Sequence, residues 1–166
     1  MRKVVVNTTP LIALSHVGQL DLLKRLYNEI IIPEAVYGEL SVKTESVCKK
    51  EVDRSLDWIR VGKISNQMTK DMYKTQLHEG EVEVMILAKE VAADVVIIDD
   101  ANAKKYAKYL KLPVTGTLGV LLRSKQMGYV DKLEPVLRQM VEKGIYISQS
   151  LIELCLKQAG ALAGAD

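Results

Sequence analysis

Three short, uninterrupted apolar runs place the strongest limit on how this chain can fold. They lie within predicted strands at residues 3–6, 30–32 and 94–98, and each is followed by a segment with helical periodicity. A continuous apolar run of this length is typical of a strand buried on both faces, and strands that alternate with helices build a parallel sheet. Two shorter candidate strands lie at residues 58–61 and 113–115. We therefore predict an α/β fold around a mostly parallel sheet of four or five strands.

Helical periodicity and end signals locate the helices between these strands. The first helix follows Thr9, a candidate cap, and Pro10, which favours the first helical position. Glycines follow the last three predicted helices, as is common at helix ends. The predicted helices span residues 11–17, 21–27, 33–42, 45–57, 77–92, 103–110, 117–127, 131–143 and 149–159.

The C-terminal helices, between residues 131 and 160, carry apolar side chains with two possible uses. They pack on the rest of the domain or form a dimer interface, and the sequence does not separate these alternatives. The side chains are Leu133, Val136, Leu137, Met140, Leu151, Leu154 and Leu156.

Size and composition indicate one globular domain over residues 1–166. An apolar fraction of 48%, with only ten glycines and four prolines, excludes collagen-like and disordered classes. No apolar run is long enough to cross a membrane, and the N-terminus lacks the pattern of a signal peptide. Cys48 and Cys155 lack the spacing of a zinc site or a disulfide framework. We expect a cytoplasmic protein without a membrane partner.

Charge is divided unevenly along the chain, although the net charge is only +2. Residues 76–100 hold seven carboxylates and one lysine, whereas residues 41–75 and 101–146 carry net positive charge. The pattern suits ordinary solvated helix faces. It equally suits a carboxylate cluster that needs a cation and is rimmed by basic side chains able to hold a polyanion.

The helix predicted over residues 77–92 has one carboxylate on its apolar side. At about 100° per residue, Glu79, Glu83 and Glu90 form a water-facing stripe, whereas Glu81 falls among apolar positions. A carboxylate on an apolar face is unfavourable unless something pairs with it. Glu81 therefore either caps the first helical turn or points into a polar pocket.

Further acidic side chains lie where they can join Glu81. Glu39 is placed between apolar positions of its own helix, and Asp99 and Asp100 close a predicted strand. A helix cap explains one of these two aspartates, and an ion pair would explain Glu39. Ligands of parallel sheets bind at the carboxyl ends of the strands, where these groups can meet. Such oxygen ligands suit Mg²⁺ or Mn²⁺, which serve in phosphodiester hydrolysis.

Five segments of the chain carry a resemblance to a known family. In chain order they are VVVNTTPLIALSHVGQLDLL, IIPEAVYGEL, LHEGEVEVMILAKE, DVVIIDDANAKKYA and LPVTGTLGVLLRSKQMG. Together they resemble PIN-domain proteins, of the PIN-like group near the VapC toxins. The similarity covers nearly the whole chain, and residues 1–40 and 77–128 are its most specific parts.

The resemblance implies a three-layer α/β/α fold and a metal-dependent ribonuclease site made of acidic residues. Glu39 matches the acidic residue in the helix after the second strand, and Glu81 matches the one at the start of the central helix. Asp100 matches the acidic residue after the fourth strand, with Asp99 close behind. These four residues are the implied catalytic groups and the ligands of Mg²⁺ or Mn²⁺. Thr8 corresponds to a hydroxyl residue that lines the site.

Asn7 departs from the family pattern, because PIN nucleases have an aspartate at the end of the first strand. An asparagine oxygen still ligates Mg²⁺, so Asn7 stays among the predicted metal ligands, but it adds no charge and cannot act as a base. Two functions therefore stay open. The chain is either a hydrolase that cuts RNA with Mg²⁺ or Mn²⁺, or a weak or inactive module that binds RNA or a protein partner.

The resemblance also implies partners. They are RNA, a small antitoxin that masks the site of a toxin, and a second copy in a homodimer. Predicted substrate contacts come from Thr8, Thr117, Lys104 and Arg123. Thr117 opens a helix whose N-terminus can hold a phosphate, although a tight turn capped by Thr117 explains the same residues.

Overall fold

A five-stranded parallel sheet forms the centre of the computed structural model, which describes residues 2–42, 47–66, 69–70 and 77–162. Its strands lie in the order β3-β2-β1-β4-β5, and every neighbouring pair is parallel. The strands are β1 (Val4–Val6), β2 (Ile30–Pro33), β3 (Ile59–Gly62), β4 (Val95–Ile97) and β5 (Val114–Thr115). The predicted α/β fold is confirmed, including both short strands.

Helices cover both faces of the sheet and complete a three-layer α/β/α arrangement. In the described part of the chain they are α1 (Thr8–His16), α2 (Asp21–Tyr27), α3 (Glu34–Val42), α4 (Val47–Asp53), α5 (Glu79–Glu90), α6 (Ala101–Tyr109), α7 (Thr117–Gln126), α8 (Leu133–Glu142) and α9 (Gln149–Leu162). Residues 45–46 of the helix predicted over 45–57 lie outside the described residues. None of the described helices has the length and apolar character needed to cross a bilayer.

The central strand β1 explains why the polar residues gather at one edge. Val4, Val5 and Val6 are fully buried, because β1 has strands on both sides and helices above and below. Parallel pairing brings the carboxyl ends of β1 and β4 together, and the Asn7 N–H donates to the Ile97 carbonyl at 2.9 Å. The segments that follow these strands therefore start side by side.

The start of α1 differs from the sequence prediction. Thr9 was the expected cap, but the helix begins at Thr8 and Asn7 occupies the cap position. Pro10 is consequently the third helical residue, where it has no N–H to offer a capping side chain. The Asn7 side chain makes no capping hydrogen bond, so its amide faces the carboxyl edge of the sheet without a role in the helix.

The sequence left open whether the apolar side chains of the C-terminal helices pack on the domain or form a dimer interface, and the two helices differ in this respect. On α8, the four apolar side chains are buried, so they belong to the core: Leu133, Val136, Leu137 and Met140. On α9, Leu151 and Leu154 are about half exposed, whereas Leu156 is partly buried against the core. The exposed apolar side chains of this region are Val141 at the end of α8, Tyr146 before α9, and Leu151 and Leu154 on α9.

Candidate active site

A cleft of about 890 Å³ opens at the carboxyl edge of the sheet, and five glutamates line it. We call it the acidic cleft. Asn7 and Thr8 enter it from the end of β1, Glu39 from α3 and Glu81 from the first turn of α5. The remaining lining residues are Thr9, Glu34, Ala35, Gly38, Val42, Lys70, His78, Glu79 and Glu83. The structure thus brings together the predicted site residues Asn7, Thr8, Glu39 and Glu81.

Glu39 is held in place by two donors from separate elements. The Thr8 hydroxyl donates to Oε2 at 2.5 Å, and the Gly80 N–H donates to Oε1 at 3.0 Å. Gly80 is required for this approach, since a Cβ at this position would lie 2.2 Å from Glu39 Oε1. Glu39 therefore ties α3 to the start of both α1 and α5, and its orientation is fixed before any ligand binds.

Glu81 is the unusual carboxylate of the cleft. Its residue is only 9% exposed, yet no described residue forms a hydrogen bond or ion pair with it. Burial raises the pKa of Glu81 above its usual value, and the negative charges of Asp100 and Glu39 raise it further against an opposing effect of His78. Glu81 is buried as the helical wheel predicted, but the wheel's contrast with Glu83 is wrong, since Glu83 is buried too. The charged form of Glu81 has no hydrogen-bond partner among the described residues.

The two aspartates after β4 have different surroundings. Asp100 caps α6 by accepting from the Ala103 N–H at 2.9 Å, and its charge reaches Glu81. Asp99 accepts from both the N–H and the hydroxyl of Thr117, at 2.7 and 2.6 Å. Asp100 is therefore the aspartate that acts on the acidic cleft, whereas both oxygens of Asp99 are engaged at the start of α7.

Asp99, Thr117 and Lys104 line a second cavity, of about 390 Å³, which we call the α7–α9 cavity. Most of its wall is apolar and comes from α7, α8, α9 and the segment between the last two. A Cβ on Gly116 would lie 2.8 Å from Asp99 Oδ1 and 3.1 Å from Lys104 Nζ, so these groups crowd the turn before α7. Asp99 already accepts from the Thr117 N–H, so a carboxylate occupies one of the donors at the helix start where a phosphate was expected.

Arg123 lies apart from both cavities. Its guanidinium donates to Gln126 at 3.0 Å and lies near enough to Tyr27 to lower the pKa of that phenol, against the larger effect of burial. Tyr27 ends α2 just before the amino end of β2, so Arg123 is placed toward the opposite edge of the sheet. This placement does not support the prediction of Arg123 as a substrate contact.

Lys70 and Glu83 were not recognised from the sequence. Lys70 belongs to the segment of the chain with the weakest family signal, and Glu83 was expected to face water. Instead both side chains are buried, with the Lys70 ammonium 2.6 Å from Glu83 and 2.5 Å from Glu79. The other oxygen of Glu83 accepts from the Ala35 N–H at 3.1 Å. Periodicity within α5 could not show that a lysine from outside the helix covers this face.

The donor chemistry of the cleft suits a hard divalent cation. Glu39, Glu81 and Asp100 supply carboxylate oxygens and Asn7 an amide oxygen, which are the ligand types of Mg²⁺ and Mn²⁺. Among the described residues, no three metal-ligating side chains already stand close enough together to hold an ion. Glu81, which lies near the negative charges of Asp100 and Glu39 and has no hydrogen-bond partner among the described residues, is the feature that a cation would satisfy.

Comparison with known families identifies the family to which this chain belongs. Residues 3–161 match the family model DUF3368, whose description is PIN domain. The chain therefore belongs to the PIN-domain family, as its sequence segments indicated. It matches no curated protein.

Proposed function

We propose that the acidic cleft binds Mg²⁺ or Mn²⁺ and hydrolyses phosphodiester bonds of RNA. The observation that carries the proposal is Glu81, a residue only 9% exposed, whose carboxylate lines the cleft without a hydrogen-bond partner among the described residues and beside two further negative charges. Membership of the PIN-domain family supports nuclease chemistry on this fold. Carboxylates repel one another until a cation lies between them, so loading would draw Glu39, Glu81 and Asp100 together.

The residues of the cleft have separate tasks in this proposal. Glu39, Glu81 and Asp100 hold the ion, and Asn7 adds a neutral oxygen. A bound divalent ion lowers the pKa of a water and offsets charge on the phosphate. The Thr8 hydroxyl and the Gly80 N–H keep Glu39 aimed into the cleft. Asp99 acts as a positioning residue, since it fixes the start of α7 through Thr117.

Basic side chains on α6 are suited to hold the RNA backbone. Lys105 and Lys108 are exposed on α6, the helix that Asp100 caps, and Lys104 lies at its first turn beside Gly116. Lysines neutralise phosphates without reading the base sequence, and binding through them weakens as salt rises. We therefore place the incoming strand along the start of α6.

A second function is favoured by Asn7. Because Asn7 stands where PIN nucleases have an aspartate, the metal site carries one negative charge fewer. This difference weakens both metal binding and base catalysis. In this alternative the chain is a PIN module of weak or no activity that binds RNA or a protein. The exposed apolar side chains of Tyr146, Leu151 and Leu154 support a protein partner. A small antitoxin or a second copy of this chain, in a toxin–antitoxin setting, is the partner that the PIN-like resemblance suggests.

The test is cleavage of a mixed single-stranded RNA pool with Mn²⁺ or Mg²⁺. The proteins are wild type, Asn7→Asp, Glu81→Ala and the control Glu142→Gln, which changes an exposed carboxylate on α8. The nuclease proposal expects cleavage by wild type and the control, faster cleavage by Asn7→Asp, and none by Glu81→Ala. Cleavage by Asn7→Asp alone would support the binding module. Absence of cleavage in all four proteins would overturn the nuclease proposal.

A further inference from the structure

The carboxamide of Asn7 lines the acidic cleft without a hydrogen-bond partner. The residue is only 5% exposed, its side chain does not cap α1, and no described residue makes a hydrogen bond with the amide. Within the described residues, every side-chain nitrogen or oxygen that is sealed from water has a partner, so the polar atoms of Asn7 open onto the cleft. The backbone of Asn7 is fixed, since its N–H donates to the Ile97 carbonyl at 2.9 Å. A buried amide held in this way is suited to contact a ligand.

The other buried side-chain donors that line the cleft, in the part of the chain that the structure describes, are Thr8 and Lys70, and both are engaged. The Thr8 hydroxyl donates to Glu39 at 2.5 Å, and the Lys70 ammonium is shared by two glutamates of α5. An anion that enters the cleft therefore finds its buried, uncommitted donor at Asn7.

An amide at this position differs from a carboxylate in two respects. The amide nitrogen donates two hydrogen bonds, whereas an ionised aspartate can only accept them. A carboxylate would also add charge to a cleft that five glutamates line, and this charge would repel an entering phosphate. Three carboxylates around one divalent ion leave one excess negative charge, and a fourth carboxylate would leave two. Asn7 therefore admits a phosphate beside the ion more readily than an aspartate would.

We propose that Asn7 is a substrate contact, whose amide N–H groups donate to a non-bridging oxygen of the RNA phosphate. The carbonyl oxygen of the same side chain stays available to the ion. The presence of the ion rests on the proposed function, whereas the contact between Asn7 and the phosphate rests on the unpartnered amide. Asparagine in place of aspartate then lowers the affinity for the metal and raises the affinity for RNA.

The experiment measures these two affinities separately. Calorimetry gives the Mg²⁺ affinity without RNA, and fluorescence anisotropy gives the affinity for a short labelled 2′-O-methyl RNA, a single strand of mixed sequence, at saturating Mg²⁺ and in EDTA. The variant is Asn7→Asp, and the matched control Asn28→Asp makes the same change at an exposed residue before β2.

We expect Asn7→Asp to bind Mg²⁺ about tenfold more tightly and the oligonucleotide about tenfold more weakly than wild type, with both affinities unchanged in Asn28→Asp. The opposite signs are informative, because a variant that merely damaged the fold would lose both affinities. Oligonucleotide binding by Asn7→Asp that is as tight as that of wild type, at saturating Mg²⁺, would overturn the inference.

A second variant separates the amide from the added charge. Asn7→Ala removes the N–H groups and introduces no carboxylate, so its oligonucleotide affinity should be about fivefold below that of wild type and above that of Asn7→Asp. An affinity equal to that of wild type would show that the amide is not the donor. This variant also tests the inference if Asn7→Asp does not fold.

The outcomes separate this inference from the proposed function. If wild type binds no Mg²⁺ but binds the oligonucleotide more tightly than Asn7→Ala, the phosphate contact stands and the metal site is wrong. If wild type binds Mg²⁺ and all the proteins bind the oligonucleotide equally, the metal site stands and the role of Asn7 is wrong. Absence of oligonucleotide binding in wild type would also overturn the inference.

Discussion

The acidic cleft and the α7–α9 cavity lie at the same edge of the sheet, and both contain buried or half-buried carboxylates. In the α7–α9 cavity, both oxygens of Asp99 accept hydrogen bonds from Thr117. In the acidic cleft, Glu81 is more deeply buried and has no such partner among the described residues. Hydrogen-bond donors stabilise Asp99 in the fold, whereas Glu81 faces the cleft, where burial and neighbouring negative charges disfavour its charged form until a cation binds. The comparison therefore singles out Glu81 as the carboxylate with free capacity for a ligand, whereas Asp99 and Glu39 each already accept two hydrogen bonds.

The largest expected effect comes from neutralising one carboxylate in each region separately, Glu81 in the acidic cleft and Asp99 in the α7–α9 cavity. Glu81→Gln should weaken Mn²⁺ binding by about 100-fold or more, because it removes a direct ligand rather than a supporting residue. Asp99→Asn should leave Mn²⁺ affinity nearly unchanged and destabilise the protein by about 2 kcal/mol, because it removes charge-assisted hydrogen bonds. Calorimetric Mn²⁺ titration and thermal unfolding measure the two effects. Equal losses of affinity in both variants would show that Asp99 belongs to the metal site.

The next effect tests the close approach that orients Glu39. A Cβ at position 80 would overlap Glu39 Oε1, so Gly80→Ala should displace that carboxylate and weaken Mn²⁺ binding by roughly 10- to 100-fold. Gly38→Ala is the matched control, since its added Cβ meets nothing within 4 Å. The control should stabilise α3 by up to about 1 kcal/mol without affecting the ion. A loss of affinity in Gly38→Ala as well would mean that added bulk, rather than the position of Glu39, is responsible.

A smaller effect compares the two threonines that donate to these carboxylates. Thr8→Val removes the hydrogen bond to Glu39 and should weaken Mn²⁺ binding by about tenfold, with recovery in Thr8→Ser. Thr117→Val removes the hydroxyl bond to Asp99 and should lower stability by about 1 kcal/mol at unchanged affinity. If Thr117→Val weakened Mn²⁺ binding as much as Thr8→Val, the two regions would have to be treated as one site.

The sequence predicted those site residues whose position depends on a single helix or on the end of a buried strand. The apolar runs that became β1, β2 and β4 are buried on both faces, so no competing signal obscured them. Glu81 could be singled out because α5 is a regular helix and its neighbours on that side are apolar. The position of Asn7 followed from the end of β1.

The sequence could not predict what depends on contacts between distant segments. Glu83 is buried because Lys70 and the start of α3 cover it, and neither contact is visible in the periodicity of α5. The sequence showed two adjacent aspartates after β4, but it could not show that Thr117 engages Asp99 and leaves Asp100 to act on Glu81. The sequence could not show that Arg123 lies away from the acidic cleft, because that depends on the direction in which α7 leaves the carboxyl edge of the sheet.

The smallest expected effect is a pH dependence that arises from Glu81. The folded state raises the pKa of this carboxyl, so its favourable contribution is complete below the unfolded pKa and is lost as the pH rises through the folded value. Metal-free Glu81→Gln should therefore match wild type in thermal stability near pH 4 and exceed it slightly at pH 7. Saturating Mn²⁺ should reverse the order at pH 7, since only wild type gains a bound ion. Asp99→Asn provides the contrast, because it should be less stable than wild type at pH 7 with or without Mn²⁺. A Glu81→Gln variant that is less stable than metal-free wild type at pH 7 would mean that Glu81 has a stabilising partner in the fold, and the distinction between the two regions would then fail.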